Sequence, residues 1–363
     1  MITVVIPCYR ARSTVDRAIV SILQSENALA LVVDDACPEG TGAYVEAHYA
    51  EEPRVKVVRN KENLGLGATR NVGIDRTETD FITFLDADDY WSEGPQIAAA
   101  CDAMREAGTD VGLMPIVVEF SGNSKPAVYP DYELISPHVG NVINIASTQA
   151  LSVIQPCWSM IYRRKFLVDN RIRFQRRKFE DHDFGLEVVL KAKSLLALRM
   201  SPIVHYDKTR QGTLTSTQPD EVDHRLVLEH VARVTELIEA RQDLTEQFRA
   251  ERAIHYTFSI LFSLLDTAHP RDGLIVESYH RIIRLRSICL LPNSISPPEF
   301  QSSLTRQMLS RHPYLLRALE HALVNQRRFV HFVHLLRFVR SQPTGKARLL
   351  ARLGLRIASK PWR

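Results

Sequence analysis

Residues 1–120 alternate short β-branched runs with helical patterns, and no other feature limits the fold as strongly. Segments 2–7, 29–34, 54–59, 81–85 and 111–120 read as strands. Segments 12–24, 40–51, 68–76 and 94–107 read as the helices between them. Strand-helix-strand alternation demands right-handed crossovers, and so an α/β fold with a mostly parallel sheet and helices on both faces. Ligands of such sheets bind beyond the carboxyl ends of the strands. From 121 to about 215 the pattern is mixed: a polar loop at 121–125 leads to 129–135, then a strand-like 156–162, a helix at 181–193 and a strand at 203–206. Beyond about 219 the chain reads as helical, at 222–239, 244–265, 274–285, 297–310 and onward. A domain boundary is expected near residue 218.

The chemistry-bearing residues fall at the predicted strand ends. Phe81-Ile82-Thr83-Phe84-Leu85-Asp86-Ala87-Asp88-Asp89 runs an apolar strand straight into three acids. Residues i and i+2 of an extended chain point the same way, so Asp86 and Asp88 are expected to converge. Two hard carboxylates facing one point call for a hard cation, and Mg2+ or Mn2+ with a diphosphate fits. An ordinary polar turn closing a strand would carry the same three letters. The first strand ends in Pro7-Cys8-Tyr9-Arg10 and the second in Val32-Val33-Asp34-Asp35. There a carboxylate can accept the N–H of a uracil ring and Tyr9 can pack on the base, although Asp34-Asp35 also suits a turn or a helix cap. Asn63-Leu64-Gly65-Leu66-Gly67-Ala68-Thr69-Arg70-Asn71-Val72-Gly73 leads glycines into a helix N-terminus, with Arg70 placed to reach a donor phosphate. It is neither a phosphate-gripping G-x-x-x-x-G-K-[ST] loop nor a dinucleotide fingerprint, since no glycine precedes Gly40.

These four elements, in this order, resemble the donor-binding half of the bacterial inverting glycosyltransferases of family 2. The resemblance implies the GT-A nucleotide-diphospho-sugar transferase fold, with a donor-binding half at 1–120, an acceptor half at 121–218 and a helical extension at 219–363. It implies a nucleotide-diphosphate sugar donor, most often a UDP-sugar, contacting Pro7, Tyr9, Asp34, Asp35, Asn63, Arg70 and Asp86. It also implies a divalent metal, Mn2+ or Mg2+, on Asp86 and Asp88. Less densely, the resemblance continues to about residue 215. Pro156–Arg164 is similar to the segment preceding the acceptor site. Phe179-Glu180-Asp181-His182-Asp183-Phe184 resembles the motif whose aspartate is the catalytic base, here Asp181. Asp183 is the fallback, turned roughly 200° away by helical spacing. An acid-rich helix start alone would need no catalysis to explain it. His205-Tyr206-Asp207-Lys208-Thr209-Arg210-Gln211-Gly212-Thr213 resembles a loop that closes over the diphosphate, with Arg210 or Lys208 stabilising its charge. His205 reads as a structural residue or a metal ligand, and His182 as an exposed helix residue.

Composition bears on compartment and partners. Five cysteines, scattered and without a C-x-x-C pair, suit a reducing cytosol rather than a disulfide or zinc scaffold. The opening residues lack the pattern of a signal peptide, and no run reaches the ~18–20 apolar residues of a membrane span. A cytoplasmic catalytic domain is therefore expected. The net charge of +4 divides unevenly, about −8 over residues 1–300 and about +12 over 301–363. Within 327–357 an apolar arc is flanked by basic residues, Arg348, Arg352 and Arg356 among them, so this tail is expected either to lie on the inner membrane surface or to pack on the protein. No nucleic-acid module accompanies the charge. The resemblance implies sugar transfer to a lipid-linked or oligosaccharide acceptor in cell-surface polysaccharide assembly. Competing readings are a non-catalytic nucleotide-sugar-binding assembly protein, a retaining transferase, and a sugar-1-phosphate nucleotidyltransferase, which would want a glycine-rich loop where this chain has Pro7-Cys8-Tyr9-Arg10.

Overall fold

β1 (Ile2–Cys8) is buried along all seven of its residues, which places it in the centre of a sheet covered on both sides. The computed structural model describes residues 1–92, 96–115, 117–118, 127–128, 136–146, 156–175, 180–200, 204–205, 219–288, 319 and 322–340. They fall into two compact units, Met1–Leu214 and Thr215–Arg363.

In the first unit the order after β1 is α1 (Val15–Leu23), β2 (Ala28–Asp34), α2 (Thr41–His48), β3 (Val55–Arg59), α3 (Leu66–Arg76) and β4 (Phe81–Phe84). There follow β5 (Tyr90–Trp91), α4 (Gln96–Glu106), β6 (Val111–Leu113), β7 (Val117–Val118), β8 (Ala127–Val128) and β9 (Val142–Asn144). A 3-10 turn at Cys157–Ser159 leads to β10 (Met160–Arg163), α5 (Arg164–Asp169), α6 (Glu180–Lys191), β11 (Ser194–Ala197) and β12 (Val204–His205). The main sheet has the order β3-β2-β1-β4-β10-β6-β11-β9, and a small second sheet the order β5-β12-β7-β8. β3, β2, β1 and β4 are parallel, and β10 runs antiparallel to both its neighbours. Register aligns the strand ends: Cys8 pairs with Asp34, Asp34 with Arg59, and Val5 with Phe84. The predicted acids therefore leave the sheet along one edge.

The expected strand over 111–120 is two strands in two sheets. Met114 N–H still reaches the Ser159 carbonyl at 2.8 Å, but Pro115 has no N–H to continue the ladder, and the chain leaves for the second sheet. The strand-like 156–162 is a 3-10 turn followed by β10. β9, β11 and α5 were not expected as elements; each is short enough to leave little periodicity.

α3 lies unusually close to β1. A Cβ at Gly73 would stand 2.3 Å from Val5 Cγ1. Gly73→Ala should gain about 1 kcal/mol of helix propensity. Overpacking against the buried strand costs about 1–3 kcal/mol, so the net effect should be destabilising. Thermal melting of the variant checks the sign.

The second unit contains α7 (Glu221–Ala240), α8 (Glu246–Asp266), α9 (Asp272–Ile288) and α10 (Gln326–Arg340). Asp220 and Asp223 form a reciprocal capping box at the start of α7, with the Asp223 N–H donating to Asp220 Oδ1 at 2.8 Å. The fully buried His224 links three helices: its Nδ1 lies 2.9 Å from Ser263 Oγ on α8 and its Nε2 2.9 Å from Ser278 Oγ on α9. Because Ser278 Oγ already donates to the Leu274 carbonyl, the ring donates through Nε2 and accepts through Nδ1, a neutral tautomer. Burial, with Arg225 adding, lowers its pKa from 6.5 to about 4. A base depressed in the folded state stabilises fully above its unfolded pKa and loses that stability as pH falls toward the folded one. The helical unit should thus lose up to about 3 kcal/mol between pH 6.5 and 4. Denaturant unfolding across that window, compared with His224→Gln, isolates the effect.

α10 carries the first part of the segment expected to meet a membrane. Phe329, Phe332, Val333 and Leu336 are instead buried within the helical unit, where α10 packs on α8 and α9. Arg337 donates to the carbonyls of Leu264, Leu265, Thr267 and Ala268, capping the end of α8. The buried residues of 327–340 thus pack on the protein, one of the two outcomes expected for this segment. Residues 341–357, with Arg348, Arg352 and Arg356, lie outside the described residues, as does the expected helix at 297–310. Among the described residues no helix is long and apolar enough to cross a membrane.

Candidate active site

The carboxyl ends of β1, β2 and β4 and the first turn of α6 build the site. β4 ends at Phe84, and Leu85 N–H still reaches the Val5 carbonyl at 3.0 Å. The acids that follow occupy a tight turn in which Asp89 N–H donates to the Asp86 carbonyl at 3.0 Å. This differs from the extended i, i+2 geometry expected from the strand pattern. Asp86 and Asp88 are nevertheless both half-buried at the same edge, and Arg17 donates to the Asp88 carbonyl, fixing the turn. Burial pushes the Cys8 thiol well up, and Asp34, Cys37, Asp88 and Asp86 add to the shift, so the ends of three strands crowd one point.

Tyr9 is 45% exposed, with the Arg10 guanidinium 5.5 Å from its ring centre. Pro7 is buried within β1, opposite Val33. Asp34 and Asp35 are buried and engaged by the chain itself. Asp34 Oδ1 accepts from Cys37 N–H at 3.0 Å and Oδ2 from Gly42 N–H at 3.2 Å; a Cβ at Gly42 would stand 2.5 Å from that oxygen. Asp35 accepts from Asn60 Nδ2 and Leu64 N–H at 2.8 Å each and from Gly65 N–H at 2.9 Å. The exposed Asn63 donates from Nδ2 to the Asp35 carbonyl at 3.4 Å. In this structure these carboxylates shape the loops ahead of α2 and α3.

Arg70 is engaged by the chain as well. It is 1% exposed and turned into the protein. Its Nη2 lies 2.6 Å from Asp86 Oδ1, and its Nη1 donates to Glu180 Oε1. Burial opposes its charge, but Cys157, Asp86, Glu180 and Asp181 outweigh burial and hold it well above the ordinary value. Burial raises the Glu180 carboxyl, with Arg70 opposing and Asp181 adding. The Cys157 thiol is likewise raised by burial, with Arg70 opposing and Asp181, Asp86 and Glu180 adding. One buried thiol thus senses both halves of the expected machinery.

α6 is seated by aromatic packing. Phe174 and Phe184 stack with centroids 3.9 Å apart, and Phe84 and Tyr162 meet Phe184 edge-on at 5.8 and 5.4 Å. This turns Asp183 inward, 1% exposed, and leaves Asp181 half-buried. Of the two aspartates, Asp181 is the one with access to solvent. His205 ends β12, paired with Tyr90 and Val117 in the second sheet. Tyr206, Asp207, Lys208 and Arg210 lie outside the described residues, as does the His182 side chain. Glu180 and Cys157 stood in quoted motifs without a role.

Among the described residues no three His, Cys, Asp or Glu side chains group to hold a metal. The two carboxylates of Asp86 and Asp88 still suit a hard divalent cation that takes its remaining ligands from a bound diphosphate, since both offer only oxygen.

Residues 3–170 match the model of glycosyl transferase family 2. The chain is 23% identical over 246 residues to glycosyltransferase GlyA of Streptococcus pneumoniae, covering 64% of this chain and 34% of that protein. It is 28% identical over 204 residues to the succinoglycan biosynthesis protein ExoO of Rhizobium meliloti, covering 53% and 55%. The chain therefore spans about a third to a half of the length of these curated relatives. Residues 1–349 of Staphylococcus aureus TarS, solved with UDP-GlcNAc, superpose with a TM-score of 0.66 at 17% identity, covering 97% of this chain and 92% of that one. The likeness fixes the fold as GT-A.

Proposed function

We propose, from the match of residues 3–170 to the model of glycosyl transferase family 2, that the chain moves a sugar from a nucleotide diphosphate to an acceptor hydroxyl with inversion at the anomeric carbon. The observation that carries the reading is the Arg70 network, which ties Asp86 at the end of β4 to Glu180, the neighbour of Asp181. Catalysis belongs to residues 1–218, and 219–363 are the C-terminal extension.

Asp181 accepts the proton of the acceptor hydroxyl. The hydroxyl oxygen attacks the anomeric carbon as the bond to the diphosphate oxygen breaks, and the nucleoside diphosphate leaves with the electron pair. Inversion places Asp181 on the face opposite the leaving group. Tyr9, exposed at the end of β1, offers a surface for the base, and Arg210 is the residue we assign to the leaving diphosphate. Asp86 and Asp88 would hold Mn2+ or Mg2+, which neutralises charge on the diphosphate. The donor we propose is a UDP-sugar, consistent with the fold shared with TarS, and the acceptor a lipid-linked or free oligosaccharide in polysaccharide assembly at the cytoplasmic face of the membrane.

The test is nucleotide release across UDP-, GDP- and dTDP-sugars with Mn2+ or EDTA. Metal-dependent release of one nucleoside diphosphate, with an inverted anomer in the product, supports the reading. No turnover of any donor, even with membrane extract supplying acceptor, overturns it in favour of a non-catalytic assembly protein.

A further inference from the structure

We propose that Arg70 is a positioning residue that holds the first turn of α6, and with it Asp181, in fixed register with Asp86. The consequence for chemistry rests on the transferase reading above; the mechanical claim rests on geometry alone.

Arg70 rises from the start of α3 and reaches two carboxylates far apart in the chain. It meets Asp86 Oδ1 at 2.6 Å with one terminal nitrogen and Glu180 Oε1 with the other. A guanidinium is a planar fork, so two partners on its two terminal nitrogens fix each other's direction. The Phe174 ring packs against that fork, its centre 5.3 Å from the guanidinium carbon, and stacks in turn on Phe184 of α6. Asn71, the next residue, pins Phe174 from both sides: its Nδ2 donates to the Phe174 carbonyl at 2.9 Å and its Oδ1 accepts the Phe174 N–H at 3.0 Å. Two consecutive residues of α3 thus hold the entry to α6 by ion pair, ring contact and main-chain hydrogen bonds. Asp181 follows Glu180 at the start of that helix, so its backbone is carried with that of Glu180.

The same geometry argues against a direct phosphate contact. The Arg70 side chain is 2% exposed, and the groups flanking it are carboxylates that would repel an approaching anion. What the arrangement controls is where the base stands relative to the donor carboxylate, and a displacement of about 1 Å there can cost about 100-fold in rate.

The test compares Arg70→Lys and Glu180→Gln with wild type. Lysine keeps the charge but meets one carboxylate at a time, whereas glutamine keeps an acceptor for the same Nη1–H and is the milder change. Three readouts are needed: hydrogen exchange of the 180–191 peptide against 221–240, UDP binding with Mn2+ by calorimetry, and kcat and KM for the donor. We expect faster exchange confined to 180–191 in both variants, and a kcat lower by about 100-fold for Arg70→Lys and about 10-fold for Glu180→Gln, with donor KM and UDP affinity within about 3-fold of wild type. Unchanged exchange at 180–191 in both variants overturns the proposal. So does a loss of UDP affinity of tenfold or more with kcat retained, which would make Arg70 a phosphate ligand. If wild type transfers no sugar, the transferase reading fails by itself, and the exchange data decide the mechanical claim.

Discussion

Asp181→Asn is expected to lower kcat roughly 10²- to 10⁴-fold, the usual contribution of a positioned general base. Asparagine has the same shape but cannot take a proton at neutral pH. The half-buried side chain sits on the first turn of α6, which the Phe174–Phe184 stack seats. Donor KM should stay within about twofold of wild type, because the lost interaction exists only in the transition state. Asp183→Asn is the matched control. Asp183 is 1% exposed on the inward side of the same turn, so its substitution should move the melting temperature while leaving kcat close to wild type. Steady-state kinetics and melting curves on the pair separate the two acids. Equal loss of kcat with little change in melting would mean that helical spacing does not divide their roles.

The strands were legible because buried parallel strands are written as unbroken apolar runs, and β1, β2 and β4 match their expected positions to within a residue or two. The edge from which the acids leave followed from the alternation alone. Periodicity cannot report what a polar side chain touches. Arg70 looked like a phosphate ligand because it follows glycines at a helix start. No acid stands one turn before or after it, at Leu66 or Ile74, so its partners had to come from distant segments, and one sequence does not pair residues 70, 86 and 180. Asp34 and Asp35 looked free for the same reason: the main-chain N–H groups they accept belong to loops whose path is set only on folding. The helix at 327–340 shows the complementary limit. An apolar arc with basic flanks is the same pattern whether the arc meets lipid or other helices, and only the packing of Phe329, Phe332 and Val333 decides.

Asp86→Ala and Asp88→Ala should both abolish most activity, and Asp86→Ala should also lose stability. Each removes a carboxylate from the edge proposed to hold the divalent cation, and loss of charge stabilisation on the leaving diphosphate is worth on the order of 10³-fold in kcat. Asp86 also faces Arg70 at 2.6 Å, and the arginine side chain is 2% exposed. Removing one member of a fully buried ion pair costs about 3–5 kcal/mol, because the other charge is left without compensation. Two features reduce that cost here: Asp86 is itself 25% exposed, and Arg70 keeps its bond to Glu180. We therefore expect Asp86→Ala to be destabilised by about 2 kcal/mol. Asp88 meets Arg17 through its backbone carbonyl, a contact the alanine substitution keeps. Asp86→Asn should recover part of the stability, since its amide oxygen still accepts from Arg70, without restoring activity. A double-mutant cycle with Arg70→Met then isolates the pair. If Asp86→Ala is as stable as wild type and the cycle is additive, the guanidinium does not tie β4 to α6 energetically, and the assembly of the site rests on the aromatic packing of Phe84, Phe174 and Phe184 instead.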